Sequence, residues 1–346
     1  GNDKLKWETV TRISVGLDMS VWHDRLSLGF NYYKSYVNNM LAYKTLGGVS
    51  GLRNYWSNEG KMENQGFDVA AVAKVMALKD FSWEISASVG HYKNEVTALP
   101  DNDKTIYTSV YGGEVMTKVG NPIGLFYGYK TQGVFATSEE AAKTDLRNGS
   151  ENGSAFRAGD VHFSDLVADG VIDNKDKDVI GNPNPDVFGN FGTSLHYKNW
   201  TLDAFFSYSL GNDIYNYQRA VLESGNSYYN QTTAMLNRWT SEGQLTSIPR
   251  VEYGDRMGNA RFSDRWIEDG SYLKLKTLSL SYRFPFNLTF LQGITVWGAA
   301  NNLFTCTKYL GSDPELSISG NPIYQGIDRG LLGHGRSFVL GVKINL

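Results

Sequence analysis

The most regular feature of the sequence is an alternation of apolar and polar residues with a period of two. In the segment Trp200–Leu210, the even-numbered positions hold Trp, Leu, Ala, Phe, Tyr and Leu, whereas most odd-numbered positions are polar. The segments Ile13–Met19 and Phe338–Leu346 repeat this pattern. Because successive side chains of a β-strand point to opposite faces, the pattern predicts strands with one apolar face and one polar face.

Nine segments carry this alternation, and together they predict an all-β chain. The predicted strands are Ile13–Met19, Leu26–Tyr32, Phe67–Val75, Trp83–Val89, Gly189–Tyr197, Trp200–Leu210, Leu278–Phe284, Ile294–Phe304 and Phe338–Leu346.

The connections between the predicted strands alternate between short and long. Short turns fall at Val21–Arg25, Ala77–Asp80, Tyr197–Asn199 and Pro285–Gly293. Long connections cover Met40–Lys61, Thr97–Asp186, Asn216–Gly270 and Thr305–Gly335. Short turns at one end and long loops at the other are typical of outer-membrane barrels. A soluble two-layer sandwich, which also has one apolar and one solvated face per strand, is the alternative fold.

The composition of the polar faces favours the transmembrane antiparallel barrel over the sandwich. These faces are rich in Ser, Gly, Thr and Asn and hold few long charged side chains. In a barrel, the apolar faces contact lipid and aromatic residues form girdles at both interfaces. We therefore expect Phe206, Leu210, Leu280 and Leu340 to face lipid, and Asp203, Ser207, Ser279 and Lys343 to face the interior. The expected girdle residues are Trp22, Trp83, Tyr197, Trp200, Tyr282, Phe284 and Phe338.

Composition and charge exclude several other classes of protein. The 346 residues carry a net charge of -3, which gives no electrostatic footprint for nucleic acid. Cys306 is the single cysteine, so an internal disulfide framework and a CxxC metal site are both excluded. No run of about 18 apolar residues predicts a membrane helix. The chain begins Gly1-Asn2-Asp3-Lys4 without a visible targeting signal, and it reads like the middle of a longer polypeptide.

Several ordered segments resemble the C-terminal part of the SusC/RagA family of TonB-linked outer-membrane transporters. The segments that carry the resemblance are Leu5–Lys34, Gly60–Val69, Asn121–Phe135, Ala158–Phe191, Asp264–Pro285 and Trp297–Glu315. Among them, Ala158–Phe191 contains the run GNPNPDVFGNF, and Asn121–Phe135 reads NPIGLFYGYKTQGVF. The chain departs from the family pattern at Leu346, where such barrels usually end in an aromatic residue.

The resemblance implies energised import of oligosaccharides or peptides across the bacterial outer membrane, together with a SusD-like surface lipoprotein. It also implies that residues 1–346 supply about nine strands of a barrel of about 22, because a barrel that holds a plug needs that many. The plug, the N-terminal extension and the remaining strands, through which TonB acts, are expected in a part of the transporter that this chain lacks. Residues 97–186 are expected to form one large extracellular excursion, with a hairpin around Ile123–Phe135.

An acidic segment within this excursion has the spacing of a calcium-binding loop. Set on a twelve-residue loop, its aspartates occupy positions 1, 5, 9 and 12, and Gly170 occupies position 6. Val167 at position 3 departs from the pattern. The expected ligands of a structural calcium ion are Asp165, Asp169, Val171, Asp173 and Asp176. The alternative is a solvated acidic turn without metal. No motif predicts an organic cofactor.

Catalysis is not predicted, because the five histidines are isolated and neither a nucleophile elbow nor a phosphate-binding loop is found. The long connections are instead rich in aromatic residues, whose flat faces suit sugar rings and peptide backbones. The candidate substrate-binding residues are Tyr215, Tyr217, Tyr228, Tyr229, Trp239, Tyr309 and Tyr324. The alternative is that about half of these aromatic residues pack the loops together. A soluble or surface β-sandwich that binds glycans is the competing function.

Overall fold

The computed structural model describes residues 5–45, 54–100, 104–288 and 291–345. The first four strands form two long hairpins joined by tight turns. They are β1 (Thr9–Val21), β2 (Leu26–Thr45), β3 (Asn54–Ala77) and β4 (Phe81–Ala98).

The connection that follows β4 contains short elements of its own. They are β5 (Thr105–Val110), β6 (Gly113–Lys118), β7 (Leu125–Tyr129), β8 (Thr131–Val134), α1 (Ser138–Thr144), β9 (Arg147–Asn148), β10 (Val161–Phe163), β11 (Val171–Ile172) and β12 (Lys177–Gly181). Thr137 is the N-cap of α1, and its side chain accepts a hydrogen bond from the Glu140 backbone N–H, which would otherwise have no partner in the helix.

The rest of the chain alternates long strands with irregular connections. Its elements are β13 (Val187–Tyr197), β14 (Trp200–Leu210), β15 (Asp213–Asn216), α2 (Tyr217–Leu222), β16 (Ile267–Asp269), β17 (Tyr272–Leu288), β18 (Leu291–Thr307), β19 (Ile327–Asp328) and β20 (Ser337–Asn345). Among the described residues, no helix is long and apolar enough to cross a membrane.

The nine long strands form one antiparallel sheet in the order β1-β2-β3-β4-β13-β14-β17-β18-β20. Each strand pairs with its neighbours along the chain, so all nine predicted strands are confirmed. The strands β1 and β20 are the two edges of the sheet, which is therefore open, as expected for part of a barrel. The alternative of a sandwich is wrong, because a sandwich requires two sheets packed face to face.

The two faces of this sheet differ in chemistry as predicted. On one face Leu280 lies beside Leu202 and is 47% exposed, and Leu340 is 81% exposed. On the other face the Asp203 carboxylate accepts hydrogen bonds from Ser194 at 2.6 Å and Ser279 at 3.4 Å. A row of apolar side chains without cover from a second layer is the arrangement that a barrel presents to lipid.

Rings also cluster at the end of the sheet that carries the short turns. The Trp200 and Tyr282 rings lie 4.6 Å apart, and Tyr282 and Phe284 are separated by the same distance. Trp22 and Tyr197, which flank two of the turns, are 71% and 53% exposed. These positions match one of the two predicted girdles, whereas Phe338 begins β20 at the opposite end.

Two local predictions are wrong. The connection predicted over Met40–Lys61 is largely strand, because β2 and β3 continue to pair through Met40 with Gly60 and on to Thr45 with Asn54. The hairpin predicted around Ile123–Phe135 does not form, although both of its strands exist. Instead β7 pairs with β6 and β12, and β8 pairs with β10. In both cases pairing partners outside the local sequence determine where strands continue.

The three long connections, residues 99–186, 211–271 and 308–336, pack on one another at the end of the sheet opposite to the short turns. We call their described residues the loop layer. One of its cores draws residues from all three connections. This core contains Val115, Phe126, Tyr215, Trp266 and Ile327, which are all at most 2% exposed. Because these side chains lose water together, the three connections stabilise one another as one unit.

Candidate functional site

A charged cluster attaches the loop layer to the sheet. Lys274 of β17 donates hydrogen bonds to Asp313 at 2.8 Å and to Glu315 at 2.6 Å, and its side chain is 2% exposed. Lys276 reaches the same Glu315 at 2.6 Å, and the His334 ring lies 2.8 Å from Asp313. The cluster therefore ties both ends of the connection 308–336 to one barrel strand.

The electrostatics of this cluster favour ionised carboxylates. Burial opposes ionisation of Asp313, but hydrogen bonds from Lys274 and from the backbone and ring of His334 outweigh it and lower the pKa of Asp313 to about 2. Burial likewise opposes ionisation of Glu315, and hydrogen bonds from Lys274 and Lys276 lower its pKa below the ordinary value. Among the described residues, Asp313, Glu315 and His334 form the single group with metal-ligand spacing. The two ammonium groups already neutralise these carboxylates.

The Asn-Pro-Asn-Pro run is a second attachment point. Asn184 is buried, and its side-chain oxygen accepts a hydrogen bond from Asn94 of β4 at 2.9 Å. The Asn94 oxygen in turn accepts from the Ile123 backbone at 2.8 Å. Gln325, from the last connection, donates to the Pro183 carbonyl at 3.0 Å. This run thus joins the top of the sheet to two connections.

The acidic segment folds as a turn whose carboxylates bind its own backbone. The Asp165 carboxylate accepts from the backbone N–H groups of Asp169 at 3.3 Å and Gly170 at 2.8 Å. Asp176, which is 1% exposed, accepts from Leu166 at 2.9 Å and Asp173 at 2.9 Å. Val171 is buried in β11.

A lysine supplies positive charge to the same turn. The Lys175 ammonium lies 3.4 Å from Asp169 and 3.6 Å from Asp173. Hydrogen bonding to Asp169 and the nearby charge of Asp173 raise the pKa of Lys175. No three of the predicted calcium-ligating side chains bring carboxylate oxygens within 4.8 Å of one another in this conformation. The calcium site stays a prediction, and Lys175 shows how the turn is stabilised without metal.

Two of the candidate substrate-binding tyrosines belong to the interior of the loop layer. Tyr215 is 2% exposed, and its hydroxyl donates to the Tyr111 carbonyl at 2.9 Å. Tyr309 is 5% exposed, and its hydroxyl donates to Asp328 at 2.7 Å. Burial raises the pKa of both phenols. Side chains that are covered in this way pack the connections and do not contact a ligand in this conformation.

The other candidates divide between partly covered and exposed positions. Tyr217 and Tyr324 are half-buried against the core that contains Tyr215. Trp239 is half-buried and donates through its indole N–H to the Ala136 carbonyl at 3.2 Å. Tyr228 and Tyr229 are 89% and 76% exposed, and Tyr228 stacks on Tyr253 at 4.8 Å. The structure does not bring the seven predicted residues together at one site.

A cavity of about 500 Å³ opens elsewhere in the loop layer, at residues that the sequence interpretation did not single out. Its walls are the turn between β5 and β6, the end of β7, the start of β12 and residues 261–262. Charged groups and rings alternate around it, including Tyr111, Glu114, Tyr129, Lys177 and Arg261. This volume lies within the range of small-molecule sites. No local spacing links these residues, since they come from two separate connections.

Comparison with known proteins gives a consistent family. The sequence model described as TonB dependent receptor-like, beta-barrel matches residues 1–303. The TonB-dependent receptor P3 of Formosa agariphila is 32% identical over 356 residues, covering 99% of this chain and 34% of that protein. The TonB-dependent receptor SusC of Bacteroides thetaiotaomicron is 28% identical over 366 residues, covering 99% of this chain and 32% of that protein.

Solved structures agree on the fold. The structure of the RagAB peptide transporter superposes with a TM-score of 0.80 at 24% identity, covering 99% of this chain and 36% of that chain. The RagAB peptide importer in its closed-closed state gives a TM-score of 0.78 at 23% identity. The chain thus spans about a third of the length of the relatives that it matches. With the open nine-stranded sheet and the matched residues 1–303, the chain belongs to the TonB-dependent receptor-like β-barrel family and is of the SusC/RagA type.

Proposed function

We propose that the whole protein, of which this chain is the C-terminal barrel part, imports oligosaccharides or peptides across the bacterial outer membrane. In this proposal TonB supplies the energy through the N-terminal part, and a SusD-like lipoprotein covers the loop layer on the cell surface. The chain itself contributes barrel wall and extracellular loops and is not an enzyme.

One observation supports the proposal most strongly. A single open antiparallel sheet carries an exposed apolar face, a polar face lined by Asp203 and Ser279, and a packed layer of connections at one end. An apolar outside and a polar interior are what a barrel needs to stand in lipid while polar solutes pass within it. Relatives that carry the name TonB-dependent receptor support the proposal that this barrel takes part in energised uptake.

Uptake by living cells tests the import function. Cells that lack the full-length protein should fail to accumulate a fluorescent oligosaccharide or oligopeptide that the parent strain accumulates, and plasmid-borne protein should restore uptake. A protonophore should abolish uptake by the complemented cells, because TonB transmits the proton-motive force. Unchanged uptake of both solute classes without the protein would reject the import function.

Co-purification tests the partner. The full-length transporter, affinity-tagged at an extracellular position outside the loop layer and extracted in mild detergent, should elute with a SusD-like lipoprotein at one-to-one stoichiometry. The amount of lipoprotein that elutes is compared with the amount that elutes with a variant lacking residues 223–254, which hold the exposed Tyr228 and Tyr229. Elution of the intact transporter alone, under conditions in which its barrel resists unfolding, would contradict the partner assignment.

A further inference from the structure

The cavity in the loop layer contains a guanidinium group without a counter-ion. Arg261 donates through Nε to the Gly258 carbonyl at 2.9 Å, and through Nη2 to the Met257 carbonyl at 2.7 Å and to Asn148 at 2.6 Å. All of these acceptors are uncharged. Within the described ranges, no carboxylate oxygen lies within 4.0 Å of this guanidinium. It is therefore held in place by its surroundings but not neutralised by them.

Two aromatic rings also contact the Arg261 guanidinium. Its Cζ lies 4.9 Å from the centre of the Tyr129 ring and 4.6 Å from that of Phe163. Such contacts stabilise a cation less than a hydrogen-bonded anion does. Burial lowers the pKa of Arg261, and interactions with Tyr129 and with the charge of Asp255 compensate in part. A cation that has lost water without gaining an anion favours an anionic ligand.

A second cation lies beside the same ring. The Lys177 ammonium is 5.8 Å from the Tyr129 centroid and forms an ion pair with Glu114 at 3.0 Å. Two cations and one carboxylate therefore line the cavity, which has one positive charge in excess. The excess charge belongs to Arg261, because Glu114 already neutralises Lys177.

The apolar wall of the cavity is rigid. A Cβ atom at Gly113 would lie 2.8 Å from the Phe262 ring, and one at Gly128 would lie 2.9 Å from it. The Phe262 ring thus packs directly against the backbones of two strands. Only glycine at these two positions leaves the backbone accessible to the ring. Tyr111 and Gly112 turn the chain tightly with φ angles of 45° and 75°. Flat rings beside a fixed cation can bind a ligand that has both a carboxylate and an apolar face.

Resting on the proposed import function, we propose that this cavity is a subsite for a carboxylate of the imported ligand, with Arg261 as its anion partner and Tyr129 and Phe262 as its apolar wall. A uronate residue of an oligosaccharide and the C-terminal carboxylate of a peptide share the chemistry that the site recognises. The two sources are separated by the choice of probe.

Calorimetric titration of the detergent-purified full-length transporter at low salt tests the subsite. The probes are trigalacturonate and its methyl ester, and the tripeptide Ala-Tyr-Ala and its C-terminal amide. We expect the acid of one pair to bind about tenfold more tightly than its neutral counterpart, because a charge-assisted hydrogen bond is lost in the neutral form. The pair that shows the preference identifies the source of the carboxylate.

Three variants assign the preference to named residues. Arg261→Gln should remove the difference between acid and neutral probes. Glu114→Gln should increase the affinity for the acid probe, because it frees Lys177 and leaves the fold of the cavity unchanged. Arg256→Gln is the matched control, since this neighbouring arginine is 81% exposed and already paired with Glu252 at 2.6 Å. It should retain the preference of the native protein.

Equal affinities of acid and neutral probes for the native protein, including no binding of either acid at millimolar concentration, would overturn the subsite. So would an Arg261→Gln protein that resists trypsin like the native protein and keeps the preference. Cellular uptake separates this failure from failure of the proposed function. Accumulation of a solute that depends on the transporter but is indifferent to its carboxylates would retain the import function and reject the subsite alone.

Discussion

At the scale of single residues, the loop layer depends on buried charges that are neutralised in pairs. Lys274 and Asp313 are 2% and 4% exposed, and each is the other's partner at 2.8 Å. Arg219 is similarly held between Glu223 at 2.8 Å and Glu268 at 2.9 Å. Removing one member of such a pair leaves the other in a medium of low dielectric constant, where an unpaired charge is costly.

Asp313→Asn should therefore destabilise the attachment of residues 308–336 to β17. We expect a loss of about 2 kcal/mol, the lower end of the usual cost of truncating a buried charge pair, because Lys274 keeps Glu315 as a partner at 2.6 Å. Thermal unfolding in detergent and trypsin cleavage within 308–336 measure it. Glu139→Gln is the matched control, because its pair with Lys143 is exposed on α1 and should contribute less than about 0.5 kcal/mol. Equal effects of the two substitutions would contradict the role of the cluster.

The pH dependence of this attachment follows from the same residue. The folded structure lowers the pKa of Asp313 to about 2 from an ordinary value of 3.8. Ionised Asp313 therefore stabilises the fold above pH 3.8, and this contribution is lost as the pH falls through about 2. In acid titrations, Asp313→Asn should remove the part of the transition that lies in this window.

At the predicted calcium site, a metal ion competes with the Lys175 ammonium for the same carboxylates. Lys175→Met removes the ammonium beside Asp169 and Asp173, so it should increase calcium affinity over that of the native turn. Asp169→Ala should abolish binding, and Lys143→Met should change nothing. Calcium titration read by limited proteolysis of residues 165–176 measures this order. Identical digestion with and without chelator in all four proteins would reject the site.

At the scale of elements, β17 contains a bulge. This bulge explains why two lysines of the strand lie on the polar face of the sheet, although apolar residues stand next to them in the sequence. Leu275 pairs with Phe206 and Thr277 pairs with Phe205, so Lys276 has no partner of its own on β14. The extra residue shifts the alternation by one position. Lys274 and Lys276 consequently share a face with Ser279, and Leu275 shares a face with Leu280.

Substitutions on the two faces of β17 should have unequal effects. Leu280→Arg places a charge on the apolar face and should cost about 2–4 kcal/mol near mid-bilayer, whereas Ser279→Arg on the polar face should cost much less. The fraction of protein that shows heat-modifiable migration in outer-membrane preparations measures assembly. Equal assembly of the two variants would contradict the assignment of Leu280 to lipid.

At the scale of the whole molecule, the short turns and the loop layer lie at opposite ends of the sheet. All three long connections pack at one end, and the turns at Val21–Arg25, Ala77–Phe81 and Tyr197–Trp200 lie at the other. In an outer-membrane barrel the long loops are extracellular and the short turns periplasmic. The excursion over residues 97–186 is therefore predicted to be outside the cell.

Cysteine labelling tests this orientation. In a Cys306→Ser background, which removes the exposed native thiol, Glu151→Cys should react with an impermeant maleimide on intact cells. Asp80→Cys, in a short turn, should react only after the outer membrane is opened. Glu151 and Asp80 are both exposed, so accessibility differs only by the side of the membrane. The reverse pattern of labelling would show that the orientation is the opposite of the predicted one.

Much of the fold could be predicted because the residue types within one short segment show that it is a strand and which of its faces is apolar. Side chains alternate between faces along a strand, so the segments around Trp200–Leu210 and Phe338–Leu346 were identifiable as strands from residue type alone. The same local logic failed at Met40–Lys61 and Ile123–Phe135. There the extent of a strand and its partner depend on which other strand lies beside it, and the sequence of one segment does not contain that information.

The sequence alone was sufficient for the nine strands, their apolar faces and the family. The strands and their faces depend on residue order within one segment, and the family depends on the order of several such segments along the chain. Tertiary structure was needed to decide which side chains are available at the site. Tyr215 and Tyr309 share the aromatic chemistry of Tyr228, yet packing among three connections buries the first two and leaves the third exposed. The juxtaposition of Arg261, Lys177 and Tyr129 likewise arises from segments up to 132 residues apart, from Tyr129 to Arg261. Such contacts form when the hydrophobic effect closes the loop layer, and no spacing along the chain encodes them.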